Sequence, residues 1–182
     1  MMSNTSEDLS HWEYNLNNGR VILFSESTSI QVIKKDITTI EQGVIVHQVN
    51  CQGKMNSGVA KAIREKWPHV FEEFETQYQE KKNNIWLGTN LGNIQVVEIT
   101  PPWLYVVNLY GQQEYGYDGK RYTSYAAWEK ALPILRDHVG NIKPTPQVYF
   151  PYQIGCCRGG GNFAVITGMI AEYFPNAIYC KS

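Results

Sequence analysis

Apolar residues fall along this chain in two rhythms, short continuous runs and recurrences every three or four positions. Runs rich in Val, Ile, Tyr and Phe at residues 21–24, 30–34, 44–49, 94–99, 103–109, 147–152 and 177–180 predict strands. "VIVHQV" and "QVVEI" are too apolar for a sheet wet on one face, so they predict central strands covered on both sides. Between the strands lie helical patterns. In 57–67, Val59, Ile63 and Trp67 recur every four residues, while Lys61, Arg64, Glu65 and Lys66 fall mostly elsewhere. Pro68 ends that helix, and 69–82 predicts another with Val70, Phe71, Phe74 and Tyr78 inward. A third helix is predicted over 122–139, kinked or split by Pro133. A fourth covers 162–174, with Phe163, Ile166, Ile170 and Phe174 on one face. Strands alternating with helices predict an α/β domain with a mixed, mainly parallel sheet.

The pattern leaves two gaps, each after an apolar strand and before a helix: "VNCQGKMNSGVAKAIREKW" from Val49 and "YFPYQIGCCRGGGNFAVITGMI" from Tyr149. In open α/β sheets ligands sit beyond the carboxyl ends of the strands, where both gaps fall. Glycine lets main-chain N–H groups turn toward an oxyanion, and a helix N-terminus adds free N–H groups and partial positive charge. For one gap alone, a tight turn with Asn56 or Ser57 as helix cap explains the residues better. For two, including the run Gly159–Gly160–Gly161, anion binding is the better account, a diphosphate being gripped from both sides. No G-x-x-x-x-G-K-[ST] stretch exists, which excludes a P-loop. Gly159-x-Gly161-x-x-Ala164 fits the loose dinucleotide fingerprint, but no acidic residue follows ~20 positions on to hold a ribose.

Composition narrows this little. With 182 residues the chain is read as a single domain, 43% hydrophobic and 18% charged, with a net charge of −1. No basic field or charge run draws in nucleic acid, so a nucleotide ligand must be held by local groups. No stretch approaches the ~20 apolar residues that span a bilayer. "MMSNTSEDLSHWEY" is polar and acidic, unlike a signal or transit peptide, so a cytoplasmic protein is expected. Cys51, Cys156, Cys157 and Cys180 form no C-x-x-C pair, so reduced thiols are expected and no metal site or cofactor is implied.

Taken together, "KKDIT", "VNCQGKMNSGVAKAI", "VVNLYGQ…RYTSYAAWEKAL" and "YQIGCCRGGGNF" resemble a macrodomain. The branch resembled is the one that includes ADP-ribose-1''-phosphate phosphatases and terminal ADP-ribose glycohydrolases. The resemblance covers residues 30–181. It implies a three-layer α/β/α sandwich over 30–182, preceded by an extension, 1–29, with room for an added strand. It also implies ADP-ribose or ADP-ribose-1''-phosphate as the ligand. By the same resemblance Asp36 would accept from the adenine amino group, with Ile37 beside the ring, although a turn-capping Asp is the plainer reading. Gly53, Met55, Asn56, Ser57, Gly58 and Val59 would wrap the distal ribose and diphosphate, with Asn50 at the head of the loop. The second phosphate loop would comprise Gly155, Cys156, Cys157, Arg158, Gly159, Gly160 and Gly161, with Phe163 packing near the ligand or, equally, in the core.

Two departures stand out. The glycohydrolases use a Lys in the segment matching "VNLYGQ", and none is present; they use an Asp where Gly159 falls. Without an attacking amine or an assisting carboxylate that route is closed. Phosphomonoester hydrolysis needs mostly positioning and charge stabilisation. Asn50 and Asn162 are therefore expected to orient the terminal phosphate or a water, and Arg158 to offset charge. The leading expectation is a phosphatase acting on ADP-ribose-1''-phosphate. A non-catalytic ADP-ribose-binding module and a hydrolase freeing ADP-ribose from modified macromolecules are the alternatives. His47 alternates with Asn50 along its strand, so a buried structural histidine is expected, not a base. "YTSY" from Tyr122 is expected to cap the third helix through Thr123 or Ser124.

Overall fold

The computed structural model describes residues 13–17, 20–24, 29–101 and 103–182. Among these residues eight strands form one sheet: β1 (Glu13–Asn17), β2 (Arg20–Phe24), β3 (Ser29–Lys34), β4 (Gly43–Asn50), β5 (Ile94–Thr100), β6 (Leu104–Gln112), β7 (Val148–Pro151) and β8 (Ile178–Lys181). Among the described residues there are four α-helices, α1 (Gly58–Lys66), α2 (Pro68–Asn83), α3 (Tyr125–Asn141) and α4 (Phe163–Tyr173). The spatial order is β1-β2-β3-β8-β7-β4-β6-β5. From β3 through β8, β7 and β4 to β6 the pairing is parallel. β5 is antiparallel to β6, and β1 and β2 add an antiparallel hairpin beside β3.

Period-two alternation along β4 divides the core between the two faces. Val44 and Val46 pack with Val107 and Leu109 under Trp128, Leu132 and Leu135 of α3 and Ile166 and Ile170 of α4. Ile45 faces the other way, joining Val97, Val106, Ile63 of α1 and Val70 of α2. The result is the expected α/β/α sandwich with a mixed, mainly parallel sheet. Pro133 does not split the third helix: α3 runs through it. Ala131, Leu132 and Leu135 on either side are fully buried, and that packing outweighs one lost helical hydrogen bond. Two single 3-10 turns, Ile37–Thr39 and Ile85–Leu87, and strand β1 are absent from the pattern-based expectation.

Because β3, β8, β7, β4 and β6 run in parallel, their carboxyl ends share one edge. The segments after β4, β6 and β7 therefore open side by side. The β4–β6 register slips between Val49 and Asn50, so the chain leaves the ladder irregularly where the first glycine-rich segment starts.

Under that edge runs a buried polar chain. His47, 1% exposed, donates from Nε2 to Asn108 Oδ1. Asn108 Nδ2 donates to Gln95 Oε1 at 2.9 Å, and Gln95 Nε2 to the Glu73 carbonyl at 3.0 Å. His47 Nδ1 has no partner among the described residues. Burial lowers the His47 pKa to about 4, the hydrogen bond to Asn108 opposing only in part. The folded pKa lies below the unfolded value of 6.5, so the unfolded chain binds the proton more tightly. Stability is complete above pH 6.5 and drains away as pH falls toward 4, by about 3 kcal/mol in all at ~1.4 kcal/mol per unit. Urea titrations across this range should show the loss, and His47→Gln should flatten it. An equally steep decline in the variant contradicts this assignment.

Candidate functional site

A cleft of about 250 Å³ opens at the shared edge, between the segments that follow β4 and β7. Its walls are Lys54–Ala60 on one side and Pro151–Gly159 on the other, with Tyr115–Tyr117 at the rim. Gln48 ties these walls together. It is the one side chain of β4 that sends polar atoms among the buried residues of the α3 face. Its Oε1 accepts from the Trp128 indole Nε1–H at 2.7 Å, and its Nε2 donates to Gln112 Oε1 at 2.7 Å and Thr123 Oγ1 at 2.9 Å. Thr123 Oγ1 in turn donates to the Gly155 carbonyl at 2.7 Å. The amides of Tyr122 and Thr123 both donate to the Gly159 carbonyl. Strand end, helix α3 and the second glycine loop are thereby fixed to one another. No side chain fits at 159: a Cβ would lie 2.2 Å from Thr123 Oγ1 and 2.4 Å from the Gly155 carbonyl.

In the first loop Asn50 acts as an internal brace. Its Oδ1 accepts from the amides of Gln52 and Lys54, and its Nδ2 donates to the Lys54 carbonyl at 2.8 Å. Met55 is fully buried beneath the loop with Val49, Phe74 and Tyr110. Asn56 Oδ1 accepts from Arg64 at 2.9 Å. Ser57 stands at the N-cap of α1 but makes no side-chain capping bond. The amides of Gly58, Val59 and Ala60, orphaned by helix geometry, therefore face the cleft uncapped. Helices α3 and α4 differ, being capped by Ser124 and Asn162. In the second loop the amides of Cys157, Arg158 and Gly159 donate to no acceptor among the described residues. Gln153 there holds φ 57°, a left-handed conformation rare outside glycine.

The cleft is electropositive for local reasons. Lys54 and Arg158 line it, and no carboxylate does among the described residues. Arg158 lies over the Tyr117 ring, 4.9 Å from its centroid, at the exposed rim.

Most of the expected site residues meet in this cleft. Asn50, Met55, Asn56, Ser57, Gly58 and Val59 line it, as do Gly155, Cys156, Cys157, Arg158 and Gly159. Gly160 and Gly161 lie behind it, shaping the loop; both amides bond back, to the Cys156 and Gly155 carbonyls. Gly53 is turned away, and a Cβ there would meet the Tyr78 ring at 2.6 Å. Asn162 is the cap of α4, with Oδ1 accepting from Val165. Phe163 is a core residue, edge-on to Tyr152 at 5.0 Å and to Tyr179 at 6.0 Å; Tyr152, which it supports, is the ring that reaches the cleft. Asp36 caps the 3-10 turn, accepting from the Thr38 amide and hydroxyl, and Ile37 is buried beside Ile40. Neither lines the cleft. Pattern reading missed Gln48, Thr123 as a brace, and Tyr115–Tyr117; a glutamine inside "VIVHQV" was the available signal.

No protein-family model matches the chain. Over 150 residues it is 29% identical to an uncharacterized 17.5 kDa protein in the tk-vs intergenic region of Enterobacteria phage T4, covering 79% of this chain and 89% of that one. A Bacteroides thetaiotaomicron protein of unknown function superimposes with TM-score 0.69 and 28% identity, over 85% of this chain and 98% of its own. A macrodomain protein from Streptomyces coelicolor gives TM-score 0.66 and 20% identity, over 83% and 97%. Thermosipho africanus DarTG, solved in complex with ADP-ribose, gives TM-score 0.66 and 14% identity, over 84% of this chain and 41% of that one. The architecture of this chain is therefore the macrodomain fold.

The brace predicts a graded response. Trp128→Phe removes one donor to Gln48 and should cost about 1–2 kcal/mol in denaturant unfolding, whereas Gln48→Leu strands several partners and should cost about 2–3 kcal/mol. Equal, negligible losses in both variants contradict a bracing role for Gln48.

Proposed function

We propose that the cleft binds ADP-ribose-type ligands and hydrolyses the terminal phosphate of ADP-ribose-1''-phosphate. The observation that carries this reading is the uncapped N-terminus of α1, facing the amides of Cys157, Arg158 and Gly159 across a cleft that no carboxylate lines among the described residues. Such amides suit a diphosphate, since each unpaired N–H gains a charge-assisted hydrogen bond and the helix end adds favourable potential. Thermosipho africanus DarTG, 41% of which superimposes on this chain, was solved in complex with ADP-ribose, and that supports the same ligand class here. In this reading the adenine end extends along the edge toward Asp36, and Tyr152 supplies the ring that Phe163 was expected to supply.

Phosphomonoester hydrolysis asks for positioning and dispersal of charge more than for a covalent partner. With the diphosphate on the amides of both walls, Arg158 at the rim offsets charge on the terminal phosphate as water attacks phosphorus and the ribose oxygen leaves as a hydroxyl. Asn50 and Asn162 serve as positioning residues, because their side chains hold the first loop and the α4 terminus. Freeing ADP-ribose from a macromolecule fits less well: no carboxylate lines the cleft among the described residues, and position 159 admits no side chain. Capture without turnover is the second reading, favoured by the loop-holding bonds those two asparagines already make.

Incubation with ADP-ribose-1''-phosphate should release inorganic phosphate, and calorimetry should show ADP-ribose binding. Binding without phosphate release establishes the capture reading instead. Ser57→Asp gives a sharper test, because its carboxylate would cap the same α1 amides that the ligand needs. The variant should gain about 0.5–1 kcal/mol of stability and lose at least about tenfold in ADP-ribose affinity. Unchanged affinity in the folded variant removes α1 from the binding site.

A further inference from the structure

Along the rim of the cleft runs a strap, residues 113–122, between the end of β6 and α3. It is largely exposed, yet it is tightly built. At its start Gln112 Nε2 donates to the Glu114 carbonyl at 2.8 Å. Asp118 gathers the far half: Oδ1 accepts from the Tyr122 hydroxyl at 2.8 Å and from the Lys120 amide, and Oδ2 meets the Lys120 ammonium at 3.0 Å. Gly116 lies flush against the Tyr122 hydroxyl, with no room for a Cβ. At its end the Tyr122 amide donates to the Gly159 carbonyl, which ties the strap to the second glycine loop.

This frame brings the Tyr117 ring to the guanidinium of Arg158, 4.9 Å from Cζ to the ring centroid. Tyr115 meets the same ring edge-on at 6.4 Å. Tyr117 is 71% exposed, so burial of its ring does not account for its place. Among the described residues that ring is the one partner of the Arg158 side chain: no carboxylate pairs with it and no acceptor takes its N–H groups. Asp118, the next residue along the strap, is committed to Lys120 and Tyr122, and Glu114 does not line the cleft. A ring and a carboxylate hold an arginine differently. A carboxylate takes the guanidinium N–H groups and offsets its charge, whereas a ring holds the cation and leaves those donors for an anion.

We propose that Tyr117 is a positioning residue for Arg158, and that the pair makes the cleft select a phosphate on the distal ribose over ADP-ribose itself. This rests on the reading of the cleft given above and names the groups that set its selectivity. Both ligands carry the diphosphate, so the backbone amides that receive it cannot tell them apart. Only the phosphorylated ligand reaches the rim with a further anion, and there the guanidinium waits with its N–H groups unspent. Hydrolysis removes that phosphate and the contact with it, so ADP-ribose is held less firmly than the substrate and leaves.

The test is a double-mutant cycle on the full chain. It reads ADP-ribose-1''-phosphate through kcat/KM for phosphate release, and ADP-ribose through its calorimetric Kd. Both side chains are exposed, so neither change touches the core. Arg158→Gln should lower kcat/KM at least about tenfold, the loss expected for a charge-assisted hydrogen bond. Tyr117→Leu should lower it about two- to fivefold, the range for an exposed cation–π contact. Neither should change the Kd of ADP-ribose by more than about twofold, since exposed charges are screened. Tyr117→Phe, which keeps the ring, should restore the wild-type kcat/KM. Once Arg158→Gln is in place, Tyr117→Leu should cost nothing more. If the wild type binds ADP-ribose-1''-phosphate but releases no phosphate, the calorimetric Kd of that ligand replaces kcat/KM, with the same expectations. Equal weakening of both ligands, no effect of Tyr117→Leu, or its full effect on the Arg158→Gln background overturns the proposal while ADP-ribose binding stands. A wild type that binds neither ligand overturns the reading of the cleft itself, and this proposal with it.

Discussion

One glutamine holds the functional edge of this molecule together. Gln48 leaves β4 among apolar neighbours and meets the Trp128 indole, the Gln112 amide and the Thr123 hydroxyl, while Thr123 reaches on to Gly155. A half-buried polar network whose members pair with one another favours one arrangement, because each alternative strands a donor or acceptor that is partly shielded from water. Everything else at the edge inherits that choice. The second loop is drawn in so far that Gly159 has no room for a Cβ, and its outer amides are left pointing into the cleft. Hydrophobic packing builds the sandwich; this polar knot aims it.

Helix ends are handled in more than one way: α2 also lacks a side-chain cap, but it opens on Pro68, which has no N–H to satisfy. Helices α3 and α4 satisfy their first amides with Ser124 and Asn162. At α1 a serine occupies the capping position and leaves the bond unmade, although serine is among the best residues for making it. A cap withheld in this way forgoes stability, and such sacrifices concentrate where a ligand completes the structure. The same logic extends to Gln153, held left-handed in the opposing loop without glycine's freedom. Two costs on facing walls point to one occupant between them.

Much of the architecture was legible in the order of residues. Short runs rich in Val, Ile, Tyr and Phe, and apolar recurrences every three or four positions, placed seven strands and four helices within a few residues of where they lie, because each signal reports burial of a single element. The misses are of other kinds. Single 3-10 turns at Ile37–Thr39 and Ile85–Leu87 are too short to show a period, and β1 is a polar "EYNLN" recognisable only through its pairing with β2. Pro133 reads as a breaker in isolation and is overruled by the burial of Leu132 and Leu135. At the site, glycine spacing located both loops, but side-chain duties there depend on contacts across the sheet. Phe163 turned inward to Tyr179, Asn162 to its own helix, and Asn50 to its own loop, whereas Gln48 and Thr123 gained meaning only once 75 residues of separation closed to 2.9 Å.

The central claim is that two sets of backbone N–H groups, one at the start of α1 and one in the loop after β7, receive a diphosphate. Amide nitrogen–proton NMR during an ADP-ribose titration addresses it directly. The account predicts that Gly58, Val59 and Ala60 move downfield together with Cys157, Arg158 and Gly159, at one shared saturation point. Shifts confined to one of the two walls, or to residues remote from both, would contradict it.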